Sequence, residues 1–112
     1  MDIEMFREFC LSLPGTTEGL KWGDNLCFMI AEKIYVISSL DEGRVSFKCD
    51  PEDFDELAAR DGIQQAPHFA KKQWVTMLSL EVLPDQELKA CIVKSRTLVL
   101  NKLPKKLQAL FL

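Results

Sequence analysis

The sequence predicts an α+β fold: a two-layer sandwich in which an antiparallel sheet of four or more strands carries helices on one face. Three observations point there. The hydrophobic period switches between helix and strand in the order helix, three strands, helix, strand, helix. The 112 residues suffice for one core, giving a single domain over 1–112. Apolar residues at 47% and charged residues at 28% are ordinary for a globular chain.

Asp2 can cap a first helix whose Ile3, Phe6, Cys10 and Leu13 follow helical spacing, and Pro14-Gly15 ends it. Thr16–Asn25 reads as a loop, with Trp22 expected to act as a lid on the core rather than a ligand platform. Strands follow at Leu26–Ala31 and Ile34–Ser39, joined by the short Glu32-Lys33 turn. Asp41-Glu42-Gly43 supplies the next turn. In Arg44–Cys49 the alternation is clean: Val45, Phe47 and Cys49 point to one face, and Arg44, Ser46 and Lys48 to the other, wet and locally basic.

Asp50-Pro51-Glu52-Asp53 is a strong helix start, because proline at the first helical position gives up an N–H that would be unpaired anyway. Phe54, Leu57 and Ala58 form the buried stripe of that helix. After a loop over Ile63–Ala70 comes a strand at about Gln73–Leu80. Pro84-Asp85 opens the longest helix, with Leu88, Cys91, Ile92, Ser95 and Val99 inward, and Leu103-Pro104 breaks it.

Charge is unevenly divided. Residues 1–65 carry 14 acidic and 6 basic side chains, residues 66–112 carry 3 and 8, and the net charge is −3. A basic face on an acidic protein is therefore expected, which bears on partners and not on fold. No apolar run approaches the roughly 20 residues of a membrane span, and MDIEMFREF lacks the pattern of a signal peptide. Cys10, Cys27, Cys49 and Cys91 are widely spaced among apolar neighbours, the pattern of reduced, buried thiols in a cytoplasmic protein.

Several segments together resemble the MmcQ/YjbR family of small bacterial proteins, often labelled DNA-binding. They are Leu13-Pro14-Gly15, Phe47-Lys48-Cys49-Asp50-Pro51, Lys71-Lys72-Gln73-Trp74, Leu83-Pro84-Asp85, Ser95-Arg96-Thr97-Leu98-Val99 and Leu103-Pro104-Lys105-Lys106. The resemblance implies a frataxin/CyaY-like sandwich, sometimes described as a double wing, and no catalytic activity. Two positions depart from the family pattern: Arg96 replaces an aromatic residue, and Gln73 a histidine often found before the tryptophan.

The residues themselves carry one functional candidate, a basic and partly aromatic patch of Arg44, Lys48, Lys71, Lys72 and Trp74, with His68 at its edge and Arg96 as a planar donor fork. Against a stacking role, a tryptophan opening an apolar strand usually buries its ring, with lysines reaching out from its rim. Expected partners are DNA, bound weakly and with strong salt dependence, or a protein meeting a sheet edge or the apolar tail Leu107, Leu110, Phe111 and Leu112. No phosphate-cradling glycine motif is present, and the lone His68 has no nucleophile partner in the sequence. The acids Asp50, Glu52, Asp53, Asp55 and Glu56 gather on one helix start, where a hard cation could bind, but the frataxin-like resemblance implies metal binding along the first helix, which offers only Asp2, Glu4 and Glu8 with Arg7 between them. A non-enzyme without metal or cofactor is expected.

Overall fold

Antiparallel pairing organises the chain. A computed structural model describes residues 1–111, so Leu112 of the apolar tail lies outside the described residues. Six strands form one open sheet in the order β1-β2-β3-β4-β6-β5: β1 Thr16–Lys21, β2 Asn25–Ile30, β3 Lys33–Ser39, β4 Val45–Lys48, β5 Ile63–Gln65 and β6 Trp74–Met77. Four helices complete it: α1 Ile3–Ser12, α2 Pro51–Ala58, α3 Asp85–Leu100 and the short α4 Lys105–Gln108.

Two strands correct the sequence reading. Thr16–Lys21 is not a loop but an edge strand, paired with β2 from Thr16↔Ile30 to Lys21↔Asn25. Ile63–Gln65, also read as loop, is the opposite edge, paired with β6. Trp22 is corrected as well: it sits in the β1–β2 turn with φ of 48° and is 70% exposed, so it covers no core.

The strand register separates two faces. Phe28, Val36, Phe47, Val75 and Met77 lie on one, buried in a single core with Phe6, Cys10, Leu88, Ile92 and Val99 from α1 and α3. Phe6 meets Phe28 edge to face, ring centroids 5.6 Å apart. Phe54 and Leu57 of α2 pack against the same core. Capping follows the sequence: Asp2 accepts from the Met5 N–H at 2.8 Å, and Asp50 from the Glu52 N–H at 3.1 Å.

Ser95 fastens α3 to the sheet. Its buried hydroxyl donates to the Tyr35 carbonyl of β3 and accepts the Lys48 N–H of β4 at 2.9 Å. The β3–β4 ladder has already ended at Val36↔Phe47, so the serine satisfies two backbone groups that the splaying strands leave open. On the other face, Ile37, Ser46 and Thr76 stand in register and no helix covers them. The segment 66–73 returns across that face, tied down by Gln65, which accepts from the Lys72 N–H and donates to the Ala66 carbonyl, both at 2.9 Å.

Candidate functional site

The residues proposed from the sequence do not form one patch. Arg44 and Lys48 bracket β4, and four residues of strand at about 3.3 Å each put them roughly 13 Å apart along it. Arg44 is paired with Glu42 at 3.0 Å. Lys71 and Lys72 are exposed in the turn that enters β6, beside the end of β4 where Lys48 pairs with Trp74. Three of the proposed lysines therefore share one end of the sheet, and Arg44 belongs to the other.

Two further assignments are corrected. Trp74 is only 9% exposed, with its ring stacked on Phe69 at a centroid distance of 4.5 Å. One face is thus engaged by Phe69 and the ring is largely buried, which removes it as an open stacking platform. Arg96 is equally buried, and its guanidinium donates to the carbonyls of Pro14, at 3.1 Å from Nε, and Phe111. It ties the C-terminal segment to the α1–β1 turn instead of offering a fork to a ligand. Phe111 also covers Gly15, where φ is +75° and an added Cβ would collide with the phenyl ring.

At the Lys48 end the structure adds two lysines that the sequence reading missed. Lys33, Lys48 and Lys102 line one hollow of about 290 Å³, whose apolar walls include Ile34, Trp74 and Val99. Lys33 opens β3, antiparallel to the end of β4, and Lys102 follows the last turn of α3. The Lys48 ammonium is pushed below its usual range, first by partial burial and then by the neighbouring Lys102. Among the described residues none of these three ammonium groups has a carboxylate within ion-pair distance. Near Lys48 in sequence, Asp50 caps α2 and Asp53 pairs with Lys94, while Glu32 adjoins Lys33 in the exposed β2–β3 turn. An anion placed in the hollow would offset both the burial and the mutual repulsion.

The chemistry of the remaining polar groups is quieter. Burial pushes the Cys10 thiol up to about 12 and Cys49 to about 11, with Cys27 and Cys91 raised by the same cause. Thiols so shifted hold little thiolate at neutral pH. Among the described residues no group of three or more His, Cys, Asp or Glu side chains could hold a metal ion. Among the described residues no helix is long and apolar enough to cross a membrane.

The family model YjbR matches residues 11–98, spanning every strand and the length of α3 to Leu98. The chain belongs to the YjbR family. Among solved structures, this YjbR domain is similar to a Deinococcus radiodurans protein described by its DUF419 domain. The two share 26% identity and a TM-score of 0.87 over 96% of this chain and 85% of that one. A Pseudomonas syringae protein shares the fold at 22% identity and a TM-score of 0.73, over 88% of this chain and 98% of that one. No curated protein matches the chain.

Proposed function

We propose that this YjbR domain is a non-enzymatic, bacterial, cytoplasmic module that binds nucleic acid weakly through phosphate contacts at the lysine-rich end of its sheet. The carrying observation is the hollow shared by Lys33, Lys48 and Lys102, three cations together without a carboxylate partner among the described residues. Lys71 and Lys72, exposed in the adjoining turn, extend the same cationic end. Such an array recognises phosphate spacing and not sequence.

Five lysine contacts give a slope of log affinity against log salt of about −4.5 on duplex and about −3.5 on single strands. Weak binding of this kind fades at physiological ionic strength. The alternative is a protein-interaction module using a sheet edge or the apolar tail; the tail draws less support, because Phe111 is packed on Gly15 and held by Arg96. Among the described residues of that segment Leu110 is 72% exposed and Leu107 37%.

The test is duplex and single-strand binding measured against salt. Lys48→Met/Lys102→Met should weaken binding and flatten the slope by about 1.4 to 1.8. Absence of binding at about 50 mM salt, where such contacts are strong, would remove this reading. So would an unchanged slope in the double variant.

A further inference from the structure

The face of the sheet without helices holds a second recess, away from the lysines. Trp22, Ile37, Pro67 and Phe69 give it flat apolar surfaces, and Asn25, Ser46 and His68 its polar ones, around a volume of about 440 Å³. It is continuous, through Ile37, Ser46 and His68, with a hollow of about 260 Å³ that adds Arg44, Glu42 and Thr76. A recess of this size accommodates a small planar ligand.

Two walls are held against local preference. Trp22 has φ of 48° and His68 φ of 68°, a left-handed conformation that crowds Cβ against the backbone in any residue with a side chain. Asparagine or glycine would suit the Trp22 position better on backbone grounds alone. Yet the turn presents an indole to solvent there, and outliers of this kind cluster where a ligand is clamped.

The polar groups select the ligand further. Ser46 Oγ and Thr76 Oγ1 lie 2.7 Å apart, so their two hydroxyl hydrogens make one mutual bond and one remains to donate. Asn25 donates from its amide nitrogen to the Trp22 carbonyl at 3.0 Å, which leaves its oxygen as an acceptor. Among the described residues the His68 ring has no hydrogen-bond partner. Arg44 and Glu42 cancel each other's formal charge. The recess thus offers donors and acceptors together, no net charge and aromatic faces. That set fits a neutral heteroaromatic ring with a mixed hydrogen-bonding edge, and it fits neither a carboxylate nor an acyl chain.

We infer that this recess is a slot for one unpaired nucleobase, stacked on Trp22 and read along its edge by Ser46/Thr76, Asn25 and His68. The inference rests on the nucleic-acid reading of the family domain and extends it: phosphates meet the lysine end of the sheet, beside the end of α3, and a base enters the recess on the helix-free face. Single strands would then be preferred over duplex, whose bases are stacked away.

The experiment is a two-dimensional ¹H–¹⁵N NMR titration, reading the two indole N–H signals, with Trp22 identified by its loss in Trp22→Asn. One arm uses 2′-deoxyadenosine, which has no phosphate, and the other a short single-stranded oligothymidylate. A saturable shift of the Trp22 signal by the nucleoside, insensitive to salt, is expected. Trp22→Asn should cost roughly 5- to 150-fold in affinity, read on the remaining slot signals, from the usual worth of a base stack. His68→Gly, which relieves the left-handed backbone, should weaken binding without unfolding the protein. No nucleoside shift at Trp22 would overturn the slot, as would oligothymidylate binding of equal strength in Trp22→Asn and wild type. Nucleoside binding without oligothymidylate binding would uphold the slot for a free nucleoside and refute the lysine reading.

Discussion

On the helix-covered face Phe28, Val36, Phe47 and Val75 are packed against α1 and α3; one residue away on the same strands, Ile37, Ser46 and Thr76 lie beneath the segment 66–73 instead of a helix. The strands are shared, so the contrast comes from what lies above each face. Helices bury apolar side chains continuously and make one face a source of stability. A single returning loop leaves gaps, and in those gaps lie the Ser46–Thr76 pair, the left-handed His68 and the recess that Trp22 closes from the side. The comparison teaches that disruption on the two faces should separate cleanly into loss of fold and loss of binding.

The largest effect expected is on the covered face. Phe47→Ala should lower unfolding free energy by about 3–5 kcal/mol, the usual cost of an emptied phenyl site. Ser46→Ala, its neighbour on the other face, should cost only about 1 kcal/mol, because water in the adjoining recess can replace the bond to Thr76. Urea midpoints of the two variants measure the difference. Equal losses would mean that the loop-covered face is as tightly packed as the helical one.

Next comes the join between α3 and the sheet. Ser95→Ala orphans the Tyr35 carbonyl and the Lys48 N–H at once, and about 2–4 kcal/mol should be lost. Lys48 would also lose the anchor of its own backbone, so the salt slope should change with stability in this variant alone. Arg96→Met should be milder, about 1.5–3 kcal/mol, since its partners are two backbone carbonyls near the surface. Its oligonucleotide affinity should match wild type at low salt. A clear loss of affinity at intact fold would return Arg96 to the binding surface.

Much of this architecture was legible in the sequence because local chemistry and global position agree there. Val45, Phe47 and Cys49 alternate into the core as expected, and Asp50-Pro51 starts α2 where capping predicts. The edge strands were not legible. TTEGLK contains a glycine and no clean apolar alternation, and IQQ is three residues long; each becomes a strand only by pairing with β2 or β6. Arg96 carried a usable signal: it lies four residues after Ile92, on the edge of the inward stripe of α3, where burial should have been expected. Lys33 and Lys102 carried none. Their meeting with Lys48 depends on the antiparallel return of β3 and on sixteen helical residues, about 24 Å, carrying Lys102 back over the sheet end.

The smallest effect tests that meeting without a ligand. In the folded state Lys48 releases its proton more readily than the usual value of 10.5 allows, through burial and then through Lys102. The unfolded chain therefore binds the proton more tightly in the window between the depressed value and 10.5, so stability should rise with pH there. Lys48→Met removes the titrating group and should flatten that rise, while at neutral pH its stability stays within about 0.5 kcal/mol of wild type. Lys102→Met should reproduce part of the flattening, because it removes the second cause and leaves the first. Thermal unfolding followed from pH 8 to 10.5 decides it. Parallel curves for all three proteins would mean that the two ammonium groups do not feel one another, and the lysine end would then be an ordinary solvated surface.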